Sequence, residues 1–167
     1  MVLRSDLSGR ACSMARGLDI LGDPWSVLVL REVFFGNGRF GAIKAKVQVA
    51  DSVLTRRLTG LVAAGLLARQ EYSDGGRTRT EYVLTPMGED ALPVLNAVAI
   101  WSEKHLPAPA ADAHMYVVHS GCGQRTVSAD TCTACGEPLT AATTSWHSLS
   151  RSAQPTGLAT AASGAPA

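Results

Sequence analysis

The chain has 167 residues, a formal net charge of +1, 46% hydrophobic and 17% charged residues, and only 5% aromatic ones. That length suits one ordinary domain, or one domain with an appendage. Alanine supplies 25 of the apolar residues, 14 of them at or beyond Ala108, so the core-forming side chains are concentrated in the first two thirds of the chain. No run of about 18 uncharged apolar residues occurs, which excludes a membrane-spanning helix. Asp6, Arg10, Arg16 and Asp19 interrupt the N-terminus where a signal peptide would need its apolar segment. A cytoplasmic protein is expected, in which four cysteines are ligands or reactive thiols rather than disulfides.

Met14, Leu18 and Leu21 recur at helical spacing and predict a short amphipathic helix ended by Gly22. Asp23 then caps a second helix that Pro24 opens, because proline at the first helical position sacrifices no hydrogen bond. Its run from Trp25 to Leu30 is apolar almost all round, so this helix is expected at the centre of the core. Gly36-Asn37-Gly38 stops it, and a short third helix follows with Phe40, Ile43 and Val47 on one face. After a turn at residues 48–50, the stretch 52–64 places Val53, Leu54, Leu58, Leu61 and Val62 on one stripe. Ser52, Thr55, Arg56 and Thr59 fall on its opposite side.

The period then changes. LLARQEY and RTEYVL are strand-like, and SDGGRT between them carries turn residues, which predicts a β-hairpin over 67–84. Thr85-Pro86 restarts a helix expected to run towards Leu106, kinked where Pro93 removes a donor. Residues 1–106 are read as one domain, 107–115 as a linker and 116–141 as a small module. The segment 142–167, dominated by Ser, Ala, Thr, Gly and Pro, is expected to be a disordered tail.

The second, third and fourth of these helices, the last two joined by a tight turn and followed by a hairpin, give the order of a winged helix-turn-helix. The fold class is therefore mainly α with a small β-hairpin, followed by a zinc-ribbon-like module. Charge supports a nucleic-acid face: residues 39–87 carry a net +4 while the rest of the chain carries −3. Ser52, Thr55, Arg56 and Thr59 are candidates for base edges and phosphates in a major groove. Arg39 at the third helix, with Arg77 and Arg79 on the wing, are candidates for the flanking backbone or minor groove. Arg57 lies nearer the apolar flank and is read as structural. The implied partner is double-stranded DNA.

The chain carries, in order, a Cys followed by LDILGDPWSVLVLRE, the RF at 39–40, VLTRRLTGLVAAGLL, RTEYVLTPMG and PVLNAVAIW. By these motifs residues 12–106 resemble the HxlR-type transcriptional regulators, relatives in shape of the MarR group. The resemblance implies a homodimer formed through the N-terminal segment and the helix after the wing. It also implies a transcriptional repressor that reads an inverted repeat. In part of that family a cysteine at the position of Cys12 senses oxidants; the plainer reading is a small residue at the dimer contact. A small-molecule effector is compatible with the sequence, and no residues identify its chemistry.

His119-x2-Cys122-Gly and Cys132-x2-Cys135-Gly are two knuckle-like pairs nine residues apart. Three thiolates and an imidazole complete a tetrahedral zinc shell, with no position open for a reacting water, so the metal would be structural. His114 or His147 could replace His119 as the fourth ligand. Trp25 and Trp101 are expected in the core. Glu32, Glu103 and His105 show no spacing that would make an acid–base pair, and no enzyme is expected. The alternative function is a protein-interaction module with a zinc-stabilised docking tail.

Overall fold

The computed structural model describes residue 7 and residues 9–162. Four helices come first: α1 (Ser13–Leu21), α2 (Pro24–Phe34), α3 (Phe40–Val47) and α4 (Asp51–Ala63). Asp23 Oδ1 accepts the Trp25 N–H at 3.0 Å, so the cap and the proline together set the start of α2. Val29, Leu30, Val33 and Phe34 of α2 are buried against Ile43 and Val47 of α3 and Leu54, Leu58 and Leu61 of α4. Removing any one of these leucines would cost about 2–5 kcal/mol, through lost transfer energy and the cavity left behind.

The wing follows as β1 (Leu67–Asp74) and β2 (Arg77–Leu84), antiparallel in unbroken register from Leu67–Leu84 to Asp74–Arg77. Gly75 and Gly76 both have positive φ, the requirement of a two-residue hairpin turn whose twist matches the strands. The base of the wing is anchored to the α2–α3 turn by the Tyr82 N–H, which donates to Gly38 O at 2.8 Å. A Cβ at Gly38 would lie 2.5 Å from Tyr82 O, so only glycine permits this approach.

Beyond the wing the single kinked helix expected from the sequence is instead two helices, α5 (Pro86–Glu89) and α6 (Leu92–His105). The Thr85 side chain caps α5 by accepting the Gly88 N–H, and Pro93 lies in the first turn of α6. There its missing N–H has no helical partner to lose, so Pro93 starts a helix rather than bending one.

The segment expected to be a disordered tail is structured as far as residue 162. β3 (Met115–His119), β4 (Arg125–Thr126), β5 (Thr144–Ser148) and β6 (Thr156–Gly157) form an antiparallel sheet in the order β4-β3-β5-β6. The physical reason is Trp146. Its ring is fully buried against Phe34 and Phe35, with centroids 5.6 and 5.2 Å away, and its indole N–H donates to Asn96 Oδ1 at 2.8 Å. Asn96, itself buried on α6, also donates to Ala129 O at 2.9 Å, so one amide fastens both β5 and the loop between the knuckles.

The chain then returns over the helical lobe. Arg151 reaches the buried carboxylate of Glu32, Ala159 N–H donates to Phe34 O, Ala161 N–H to Glu89 Oε2, and Ala162 N–H to Leu84 O. One hydrophobic core therefore runs from α2 through α6 into the ribbon.

Candidate nucleic-acid interface and metal centre

The turn between α3 and α4 is closed by Gln48 in the left-handed region (φ 57°), and Lys44 meets Asp51 across it at 2.5 Å. This fixes α4 so that Leu54, Leu58 and Leu61 point inward and Ser52, Thr55, Arg56 and Thr59 point to solvent. Arg57 turns back to Asp23 at 2.6 Å with its side chain only 11% exposed, which ties α4 to the cap of α2. Arg39 is exposed at the N-cap of α3, with its guanidinium 4.4 Å from the centroid of the Tyr72 ring on β1. Arg77 and Arg79 are exposed on β2, and Arg79 pairs with Asp74 across the hairpin at 3.3 Å. The free face of α4 and the wing thus carry hydroxyls and cations; α4 is fixed by the burial of its opposite side, and the wing by its strand pairing and its buried base at Leu67 and Leu84.

The second cluster lies in the ribbon. Donor atoms of His119, Cys122, Cys132 and Cys135 all lie within 4.8 Å of one another. His119 Nδ1 is 3.3 Å from Cys122 Sγ and 3.2 Å from Cys135 Sγ, and Cys122 Sγ is 3.6 Å from Cys132 Sγ. A disulfide would require about 2.05 Å, so these are thiols. Zinc bonds of about 2.3 Å to sulfur and 2.0–2.1 Å to nitrogen give tetrahedral edges of about 3.6–3.8 Å, close to the spacing of the set.

Gly123 and Gly136, each following the second donor of its pair, have φ of 69° and 78° and let the backbone turn back beneath the cysteines. A Cβ at Gly121 would stand 3.0 Å from the His119 ring, so this glycine leaves the imidazole its place. Burial opposes ionisation of Cys132, but the Ala134 and Cys135 backbone N–H groups and the two neighbouring thiols outweigh it and lower its pKa. For Cys135 a hydrogen bond from the Glu137 backbone favours the thiolate; burial and the thiols of Cys132 and Cys122 prevail and raise its pKa. The four residues can hold a metal ion, and sulfur-rich ligation favours a soft or borderline one.

The two alternative histidines lie outside the cluster. His114 Nδ1 contacts Glu103 Oε2 at 2.7 Å, and His147 sits in β5 opposite Tyr116. Glu103 also accepts the Met115 N–H at 2.9 Å. Its burial would raise the carboxyl, but these contacts and the charge of Arg125 hold it below the usual carboxylate range.

Glu32, whose sequence setting offers no acid–base pair, is fully buried with Arg31, Asn37 and Arg151 on its two oxygens. Arg31 and Asn37 are near in sequence, but Arg151 lies 119 residues away. Trp25 and Trp101, expected in the core, are 37% and 56% exposed in the single chain. Cys12 is exposed at the N-cap of α1. Among the described residues no helix is long and apolar enough to cross a membrane.

A family model for the HxlR-like helix-turn-helix matches residues 20–110. The chain belongs to the HxlR-like helix-turn-helix family. An uncharacterized HTH-type transcriptional regulator of Mycobacterium tuberculosis is 37% identical over 139 residues, covering 82% of this chain and 87% of its own. Among solved structures, PA1607, a candidate transcription factor, superposes with a TM-score of 0.67 at 32% identity, over 81% of this chain and 93% of that one. A second candidate transcription factor, PA1374 of Pseudomonas aeruginosa, gives 0.51 at 36% identity, over 77% and 87%. A match of 139 residues is longer than the whole of residues 1–106, so the likeness to the mycobacterial regulator takes in part of the ribbon. The protein is thus a helix-turn-helix transcriptional regulator, and its family and relatives are regulators rather than enzymes.

Proposed function

We propose that this HxlR-like protein is a cytoplasmic homodimer that represses transcription by binding an inverted-repeat operator. The observation that carries this reading is the solvent face of α4, where Ser52, Thr55, Arg56 and Thr59 stand clear of the core beside the cationic wing. Arg56 and Thr55 read base edges in the major groove, with Ser52 and Thr59 beside them. Arg39, Arg77 and Arg79 hold the flanking backbone.

Dimerisation is supported by apolar surface that the single chain leaves uncovered. No residue of α1 is buried, Met14 is 74% exposed and Leu18 more than half, and α6 presents Val94, Val98 and Trp101 at helical spacing. A two-fold dimer built on these faces sets two α4 helices about 34 Å apart, one turn of DNA. Cys12 lies beside this surface, as a dimer contact or as an oxidant-sensing thiol. A Cys12→Ser protein that still loses DNA on diamide treatment, with its metal retained, would remove the sensing role.

Zinc is the metal that the His119, Cys122, Cys132 and Cys135 set fits best. Four protein donors leave no open position, so it would fold the ribbon rather than perform chemistry. Zinc absent from protein purified without chelator, with all four cysteines titratable, would contradict this. The packing of Trp146 and Asn96 speaks against a free docking tail, since the ribbon's inner side is already used within the chain.

Gel shift on the inverted repeat upstream of the gene or its neighbour tests the main reading. Retarded wild-type complexes, lost in Arg56→Ala, are expected. Indifference to sequence in the wild type would overturn it.

A further inference from the structure

A cleft opens between α6 and the first knuckle of the ribbon, on ground that neither the DNA-binding face nor the metal cluster uses. Its volume is about 380 Å³, inside the range of small-molecule sites, about 300–1,000 Å³. Ile100 from α6, Met115 and Val117 from β3, and Val127 after β4 give it an apolar lining. Val127 is 67% exposed, yet its loop is held: Thr126 Oγ1 accepts the Ser128 N–H and donates to Thr131 O. An aliphatic side chain fixed in solvent over an apolar floor is one wall of a preformed site.

The charges at the cleft are Lys104, Arg125 and Glu103. Glu103 is already engaged: Oε1 accepts the Met115 N–H and Oε2 meets His114. Arg125 is held by the Tyr116 ring, its guanidinium 3.7 Å from the ring centroid, and keeps its N–H groups for another acceptor. Two cations against one committed carboxylate select an anion. By the helical period Ile100 and Glu103 lie about 100–180° round α6 from Val94, Val98 and Trp101, and Lys104 about 60–120°. The cleft therefore stays open when that stripe is covered by a second copy.

We propose that this cleft binds a small amphipathic organic anion. Its flat or branched apolar body lies on Ile100, Met115, Val117 and Val127, and its carboxylate or sulfonate is directed to Lys104 and Arg125. Such a ligand touches α6 and the knuckle at once, so it stabilises the ribbon's seat on the helical lobe by mass action. The site stands independently of the DNA-binding reading, because its occupation is measured without DNA.

The test is calorimetric titration of the full metal-loaded chain with 2-naphthoate, the neutral 2-naphthamide serving as control. One naphthoate per chain is expected, with the amide about tenfold weaker or worse. Lys104→Glu with Arg125→Glu should weaken naphthoate about tenfold, and Val127→Asp should weaken it too. Lys104, Arg125 and Val127 are exposed, so unchanged melting curves are expected to show that the variants fold. Gln70→Asp, exposed on the wing and away from the cleft, should leave binding intact. No binding of naphthoate, equal binding of the amide, or loss through Gln70→Asp but not Val127→Asp would each overturn the proposal.

Discussion

The helical lobe and the ribbon share one core but reach it by different physics. The lobe buries valines, leucines, Phe34 and Ile43 from α2, α3, α4, α6 and the base of the wing, each placed by the period of its own element. The ribbon and the loops it carries contribute only Val117, Val118, Cys132, Leu139, Ala141 and Trp146 as buried apolar residues, far too few to fold such a segment alone. It is held from two sides instead, by four metal-type donors on its knuckles and by a tryptophan inserted into the neighbouring lobe. A segment poor in apolar residues becomes part of a domain when one large side chain is inserted into the neighbouring lobe, and the cluster of metal-type donors is placed to do the rest.

Removing the metal is the most severe way to break that contrast. Structural zinc supplies about 10–16 kcal/mol of apparent binding energy to comparable knuckle peptides. Chelation, or Cys132→Ser, should therefore unfold the ribbon and abolish the near-ultraviolet signal of Trp146 while most helical far-ultraviolet signal survives. Helices lost in parallel with the ribbon would mean that the lobe depends on the metal as well. Next in size, Trp146→Ala should destabilise the lobe by about 3–5 kcal/mol in denaturant unfolding. Asn96→Ala, which leaves the Trp146 N–H and Ala129 O without their partner, should cost about 1–3 kcal/mol.

These same residues mark where the sequence could and could not be read. The helix carrying Leu54, Leu58 and Leu61, the Asp23-Pro24 start, the Gly75-Gly76 turn and the two x2 donor pairs are local patterns, and local physics positions them. Arg57 was legible from its place on the apolar flank of α4, although its partner Asp23 was not. The strand Thr144–Ser148 was not legible, because four of its five residues are polar and the burial of Trp146 is decided by Phe34 and Phe35, far away in sequence. Asn96 reads as a polar interruption of a helical stripe until the ribbon supplies both of its partners. Pro93 was read as a kink because the break between α5 and α6 carries no strong stop signal. Trp25 and Trp101 follow core periodicity, yet they are partly exposed in the single chain.

Glu32 sharpens the comparison at low pH, since its carboxylate joins α2 to Arg151 in the ribbon, between β5 and β6. Burial would raise its pKa; the hydrogen bonds and charges of Arg151 and Arg31 prevail and lower it beneath its ordinary value of 4.5. A group whose folded pKa is depressed gives stability that is present above the unfolded value and is lost as pH falls through the folded one. Melting temperature should therefore drop more steeply below pH 4.5 in wild type than in Glu32→Gln, with Glu103 leaving a residual slope in both. Parallel curves would mean that the carboxylate is not paired as described. The smallest effect belongs to the exposed wing pair: Asp74→Ala should change unfolding free energy by less than about 1 kcal/mol.

The central claim, that the free face of α4 and the wing bind DNA, is tested most directly by fluorescence anisotropy on an upstream inverted repeat across a range of salt. Wild type should bind steeply less well as salt rises. Arg56→Ala should lose about 1–3 kcal/mol on the repeat and relax sequence preference, and Arg79→Ala should lower the salt slope by about one unit on any duplex. Unchanged affinity and slope in both variants would contradict the account.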